Sequence, residues 1–449
     1  MKRRRFSHVI LKVFTILVFG VIIISANTMS KNFDISRNST SYKKLGEFSI
    51  HGEFMAFGDS DNNGLREIYN EDFTNNSVIG YEFNETSMIR FGPITDEYGI
   101  PWCTADFNDD GYQDLVTQTG DPGGGGNGYL DIWWGPSPYT TDHRQRFTFP
   151  NHKVYMFAEV VDLNCDGKPE ILATHASVGA YQGWIVWIQY NQTIDKMEII
   201  QNTFIEDKAP LGRKAVADFD NDGKMEFVIA CCDLISCSSY FRIFEVDNNR
   251  FYFVGQIGIF DYPICAKEVD FDGDGSYELI VGWSPHYSPS HNGFYYALYL
   301  PCGNNSFTRE MTVGGKWYVG INAMIATGDT DNDMKDEAMV YICPYIVFFE
   351  ETNQGIKTVF SYTREPVHFS GIYIYDINGD GQNDLIVTDC KFKCSIATYN
   401  PRDITTNNPN ILGFSTSHSL FDKAFCLILP QKHERRPLSK DNGKTWTYL

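Results

Sequence analysis

A nine-residue acidic loop recurs seven times along this chain, and each copy runs into a short apolar stretch rich in β-formers. The copies begin at Asp59, Asp106, Asp162, Asp218, Asp270, Asp329 and Asp376, at intervals of 47, 56, 56, 52, 59 and 47 residues. Self-similarity at such a period marks a repeat architecture, in which each unit is one supersecondary module stacked on its neighbours. The clearest copy is Asp270-Phe271-Asp272-Gly273-Asp274-Gly275-Ser276-Tyr277-Glu278, followed by Leu279-Ile280-Val281.

Oxygen ligands at positions 1, 3, 5 and 9, with glycine at 6, describe a cage for a hard cation. The candidate ligands are Asp59, Asp61, Asn63 and Glu67 in the first copy and Asp106, Asn108, Asp110 and Asp114 in the second. The third offers Asp162, Asn164, Asp166 and Glu170, and the fourth Asp218, Asp220, Asp222 and Glu226. Asp270, Asp272, Asp274 and Glu278 come next, then Asp329, Asp331, Asp333 and Glu337, then Asp376, Asn378, Asp380 and Asp384. Ca²⁺ takes 6–8 oxygens at roughly 2.3–2.6 Å in a loose geometry that a flexible loop can supply, whereas Mg²⁺ demands a strict octahedron and holds its waters. Glycine at position 6 permits the left-handed backbone of a sharp turn. The sixth copy has Met334 there, so that site is expected to be reshaped or weak. The loops are not EF-hands, which close with a glutamate at position 12 and sit between helices. Solvated Asx-turns between strands are the alternative reading of any single copy; seven in phase point to metal.

The formal net charge is −20 over 449 residues, and 24 of the 57 acidic side chains occupy the four ligand positions. The acidity is therefore largely that of the loops. Carboxylates crowded into one turn repel each other, which makes calcium the expected cofactor, up to seven ions. An acidic chain also lacks the basic footprint of nucleic-acid binders.

Lys2-Arg3-Arg4-Arg5 precedes an apolar run from Val13 to Ala26, the pattern of a secretory signal. The bulky Ile24 makes a poor cleavage site, so residues 1–26 read as a signal peptide or an uncleaved signal-anchor, the latter the one route to a membrane. Both place the repeats outside the cell or on its surface. Residues 27–45 read as a linker and 431–449 as a tail. Eleven cysteines offer Cys390 with Cys394, and Cys231-Cys232 with Cys237, as candidate local disulfides in an oxidising compartment. Cys103, Cys265 and Cys343 read as buried hydrophobes.

About 15 to 23 residues after each first Asp comes a second strand, as in Ser77–Tyr81, Tyr129–Trp134, Trp184–Ile188, Phe241–Phe244, Phe294–Leu298, Tyr345–Phe349 and Ser395–Tyr399. Further strands show at Arg250–Val254 and Lys357–Phe360. Four strands in each of seven units predict an all-β, seven-bladed β-propeller over residues 46–430. Ring closure is expected between the Phe48–Phe57 segment and strands beyond residue 400.

The motif Asp-x-[Asp/Asn]-x-Asp-Gly-x-x-[Asp/Glu] followed by an apolar triplet, as in Asp218 to Ile229, resembles the FG-GAP repeat of integrin α-subunit propellers and the related VCBS repeats of exported microbial proteins. Phe57-Gly58 and Phe91-Gly92-Pro93 echo the flanks of that repeat. The resemblance implies calcium loops on one face and ligand binding by loops on the other. Candidates for the ligand face are Gly120–Gly128 and Ser284–Gly293, the latter with His286 and His291. Trp133, Trp134, Trp184, Trp187 and Trp283 alternate as core residues do, rather than as sugar platforms.

No Gly-x-Ser-x-Gly or His-Glu-x-x-His motif appears. The expected role is a non-catalytic recognition or adhesion module for an extracellular glycan or protein. The alternatives are a calcium-dependent polysaccharide lyase or hydrolase, and a purely structural surface component. A cluster of Lys, Arg and Tyr in loops at the central channel is what an enzyme would require.

Overall fold

Each acidic loop turns one strand back on the next, and its ninth residue, or the one before it, opens the second strand. These second strands are Arg66–Asp72, Asp114–Thr119, Glu170–Ser177, Glu226–Asp233, Glu278–Ser284, Glu337–Ile342 and Asp384–Asp389. The third strands carry the aromatic segments: Ser77–Phe83, Tyr129–Trp133, Gly183–Asn191, Ser238–Asp247, Gly293–Pro301, Tyr345–Thr352 and Lys393–Tyr399. Each joins a four-stranded antiparallel sheet, giving seven sheets that follow chain order. The computed structural model is thus a seven-bladed β-propeller, its blades numbered 1 to 7 in order of their loops. It describes residues 42–399 except for short interior stretches, the longer being 121–127, 178–182, 285–292, 317–323 and 364–368. The N-terminal leader, the C-terminal tail and both expected ligand loops apart from their ends lie outside the described residues. So do His286 and His291, and Cys237 and Cys390 of the expected disulfides.

The innermost strands are Met55–Gly58, Gly99–Ala105, Val154–Val161, Ala209–Ala217, Tyr262–Val269, Ile325–Gly328 and Phe369–Tyr375. Consecutive ones touch, so they line the middle of the ring. Strand direction alternates within a blade, so the acidic loops all lie on one face and the second-to-third connections on the other. The ring closes through Tyr42–Ser49, which pairs antiparallel with Lys393–Tyr399 as the fourth strand of blade 7. This corrects the expected closure between Phe48–Phe57 and residues beyond 400. The closing strand begins inside the segment read as linker, because the last blade lacks only its outer strand and the N-terminus is nearest to supply it. Pairing of this kind removes an open sheet edge.

The core lies between blades. Met55, Ile68 and Ile79 of blade 1 pack with Tyr373, Ile386 and Ile396 of blade 7, and Ala215 and Phe241 of blade 4 with Leu279 and Trp283 of blade 5. Trp133 and Trp187 are fully buried and Trp283 nearly so, as their alternation predicts, while Trp184 stacks on His175. Cys265 and Cys394 lie in the same cores.

The inner strands bulge. In blades 2, 5 and 7 a single extra residue interrupts the register, after Pro101, Pro263 and Phe369. Blade 4 departs further: Gly212, Arg213 and Lys214 stand opposite the single Ile229. A bulge bends its strand and re-aims the extra side chains.

Candidate functional site

All seven loops adopt one geometry. The carboxylate at position 1 accepts two backbone N–H groups, from positions 5 and 6; in the fourth loop Asp222 N donates to Asp218 Oδ1 at 3.1 Å and Gly223 N to Oδ2 at 2.8 Å. Position 7 N–H donates to the side-chain oxygen at position 5, as Lys224 does to Asp222 at 2.9 Å. One oxygen of the ninth carboxylate accepts the N–H of position 2, as Glu226 Oε2 does from Phe219 at 2.8 Å. Met334 does not reshape its loop. It takes φ +67° and donates to Asp329 Oδ2 at 2.9 Å, with its side chain in solvent.

Position 6 is not the sole left-handed residue. Position 4 also has positive φ in every copy, at Asn62, Asp109, Cys165, Asn221, Gly273, Asn332 and Gly379. The motif as read from sequence leaves this position open. Six of the seven are Asn, Asp or Gly, the types that tolerate this region, and that bias was the available signal.

The loops differ in what they gather. Oxygens of Asp218, Asp220, Asp222 and Glu226 all lie within 4.8 Å of one another. Asp59, Asp61 and Glu67 meet similarly, as do Asp162, Asp166 and Glu170. Asp270, Asp272 and Asp274 meet without Glu278, and Asp329, Asp331 and Asp333 without Glu337. The loops at Asp106 and Asp376 bring no such group together. Their ninth residue is aspartate, one methylene shorter, and Asp114 spends its second oxygen on Gly135 N at 2.8 Å. In both, the asparagine at position 3 donates to position 5, Asn108 to Asp110 and Asn378 to Asp380 at 3.0 Å each. Asn164 does the same to Asp166 at 3.1 Å. In the first loop Arg66 lies 3.7 Å from Asp59. These contacts relieve negative charge internally; of the three loops with four acids, the fourth has one such contact, Lys224 Nζ 3.8 Å from Asp222.

Burial pushes Glu67, Asp114, Glu170 and Glu278 up to about 7 and Glu226 and Glu337 up to about 8, and nearby loop carboxylates add to the rise in each case. Oε1 of Glu226 and of Glu337 is buried and accepts no hydrogen bond. A buried carboxylate oxygen without a donor is costly, and a divalent cation is the partner that an all-oxygen donor set fits. Neighbouring loops also brace each other. Asp336 N donates to Asp270 O at 2.8 Å, Asn221 Nδ2 to Ser276 Oγ at 2.9 Å and Gln382 Nε2 to Thr330 O at 3.0 Å.

A second group of charged residues, which no motif in the sequence marks, sits on the inner strands. Lys214 is fully buried and its Nζ donates to Phe157 O at 3.0 Å. Its N–H donates to Glu159 Oε1 at 3.1 Å. Lys267 pairs with Glu268, whose other oxygen accepts Val216 N at 2.9 Å. Burial pulls Lys214 below the usual lysine range and lifts Tyr373 above the usual tyrosine range. Burial would pull Lys267 down as well, but Glu268 reverses the sign and its value is raised.

Residues 106–173 match the family model of the FG-GAP-like repeat. With the seven-bladed ring, this makes the chain an FG-GAP repeat β-propeller. Among solved structures it is similar to the rhamnogalacturonan lyase PL11 of Bacillus licheniformis, at 14% identity over 81% of this chain and 76% of that chain, with a TM-score of 0.43. The rhamnogalacturonan lyase YesW is similar at 14% identity, over 81% of this chain and 76% of that one, with a TM-score of 0.41. Likeness at this level says nothing of chemistry. No curated protein matches the chain.

Proposed function

We propose that the chain is an exported, calcium-binding β-propeller that recognises an extracellular glycan or surface protein and turns nothing over. The observation that carries the calcium reading is the fourth loop, where four carboxylates converge and the buried Glu226 Oε1 has no hydrogen-bond donor. Asp218, Asp220, Asp222 and Glu226 would hold the ion, which supplies charge neutralisation and rigidity. The loops at Asp270 and Asp329 rank next by charge, and those at Asp106 and Asp376 last. The basic and apolar residues at the start of the chain support export to the millimolar calcium in which weak oxygen sites fill.

Recognition is assigned to the face opposite the acidic loops. Loop residues on the acidic face are committed to bracing one another, and loops on a rigid scaffold are where binding residues concentrate. The absence of turnover is supported by the described inner-strand side chains, of which Lys214 is engaged by a carbonyl, Lys267 by Glu268, and Tyr373 is buried.

Those three residues, with Arg213 over the Tyr373 ring, are also the observation that favours a second reading, a calcium-dependent polysaccharide lyase or hydrolase. A glycan and polysaccharide panel in calcium separates the two when it is read for retention and for new reducing ends or unsaturated uronate absorbance. Retention without product is expected. Product lost on changing Lys267 or Tyr373 would establish the enzyme, and neither retention nor product would leave a structural surface component.

A further inference from the structure

Blade 4 reaches blade 7 across the middle of the ring. In a ring of seven these blades are three places apart, the largest separation available. Yet Cζ of Arg213 lies 5.0 Å from the ring centroid of Tyr373. One side chain therefore bridges the channel, and it does so because the blade 4 bulge lifts it off its strand. The bulge is fixed by Gly212, at φ +67°, where a Cβ would stand 1.7 Å from Ile264 O of blade 5. No other residue type fits there.

The charges around Arg213 are spoken for. Glu159 accepts Lys214 N, and Glu268 accepts Val216 N and pairs with Lys267. Arg213 itself is exposed, and among the described residues it makes no hydrogen bond or ion pair; its one partner is the Tyr373 face. Within this group Arg213, Lys214 and Lys267 face Glu159 and Glu268, and the buried Glu71 acts on Tyr373 as well, so the cations balance the carboxylates and only the Arg213 guanidinium is left without a carboxylate partner among the described residues. A guanidinium held flat on an aromatic ring keeps its N–H fork free for a planar anion.

We propose that Arg213 anchors an anion site in the channel that takes a single carboxylate group of a small ligand, entering end-on because the bridging side chain prevents threading. A single planar guanidinium fork matches the two coplanar oxygens of one carboxylate. The site gives a chemical feature to the ligand of the recognition reading but stands apart from it, since it can bind a free carboxylate even where no glycan is retained.

The test uses the full chain in calcium buffer and ligand-observed NMR, with glucuronate titrated into the tens of millimolar and glucose as the neutral counterpart. Glucuronate is expected to bind and glucose not. Arg213→Lys keeps the charge but loses the fork, and Arg213→Gln loses both. A charge-assisted pair implies weakening by about tenfold to a hundredfold in R213Q, with a smaller loss in R213K. Melting temperatures should stay within a few degrees of the wild type, because among the described residues the side chain gives up only its contact with the Tyr373 face. Equal binding of glucuronate by wild type and R213Q, equal binding of glucose, or tighter binding of sulfate than of glucuronate would each overturn the proposal.

Discussion

Glu226→Gln reverses sign depending on whether calcium is present, if the fourth loop is a cation site. Glu226 is fully buried, and its carboxyl is raised from 4.5 to about 8. A carboxyl raised in the fold takes up a proton on folding. Its penalty is absent below the unfolded value near 4.5, grows as pH rises, and levels off above about 8. At pH 7 the gap of about two and a half units corresponds to roughly 3 kcal/mol against a side chain that cannot ionise, as an upper bound. Glutamine keeps an oxygen for Phe219 N–H and turns an amide toward Asp218, Asp220 and Asp222. In chelator, E226Q should therefore be more stable than wild type. With an unfolding entropy of about 2.1 cal/mol/K per residue over roughly 360 residues, 3 kcal/mol corresponds to a rise in Tm of about 4 °C. In calcium the variant lacks a charged ligand. Each tenfold loss of affinity costs about 1.4 kcal/mol, so a loss of about two orders of magnitude at this loop erases the advantage. Thermal unfolding at pH 7 with EDTA and with calcium decides it: a shift of the same sign and size in both, or a lower Tm in chelator, would refute the reasoning.

The raised carboxylates make the metal-free chain most stable in mild acid. Its Tm in chelator should fall from pH 5.5 to pH 8, while in calcium the trend weakens or reverses because protons compete with the ion; a Tm rising with pH in chelator would contradict this. Met334→Gly should raise the unfolding free energy by about 1 kcal/mol in denaturant titration, since it relieves a left-handed methionine and removes only exposed surface; no gain would show the turn to be unstrained. Gly212→Ala should lower Tm by several degrees or prevent folding, given the collision with Ile264 O, and an unchanged Tm would show that the bulge can move.

Most of the fold was legible because the loop and the strand are two ends of one constraint. The ninth residue closes the turn and opens the second strand, so each loop locates the strand after it: Glu226 begins Glu226–Asp233 and Glu337 begins Glu337–Ile342. The aromatic third strands come at a distance set by strand length. Ring closure was less legible, because Tyr42–Ser49 belongs to no copy of the motif and pairs with a strand more than 340 residues away. Its sequence, with Lys43, Lys44 and Glu47, reads as polar linker, and Glu47 is exposed in the closing strand.

The candidate site divides along the same line. Ligand positions repeat, so sequence exposes them; what each oxygen does in the fold depends on contacts that do not repeat. Asp114 and Glu170 occupy the same place in the motif, yet Asp114 is satisfied by Gly135 of its own blade while Glu170 joins Asp162 and Asp166. The channel lies at the far end of that range. Arg213 and Tyr373 come from different repeats and at different offsets from their loops, so no periodicity could pair them. The local hint was Gly212, which interrupts a strand otherwise free of glycine. Its meaning depends on Ile264, itself displaced by the bulge of the next blade. The repeats thus specify a ring whose acidic loops can be read seven times over, and the feature that distinguishes its centre is the inner strand whose bulge holds three residues where the others hold one.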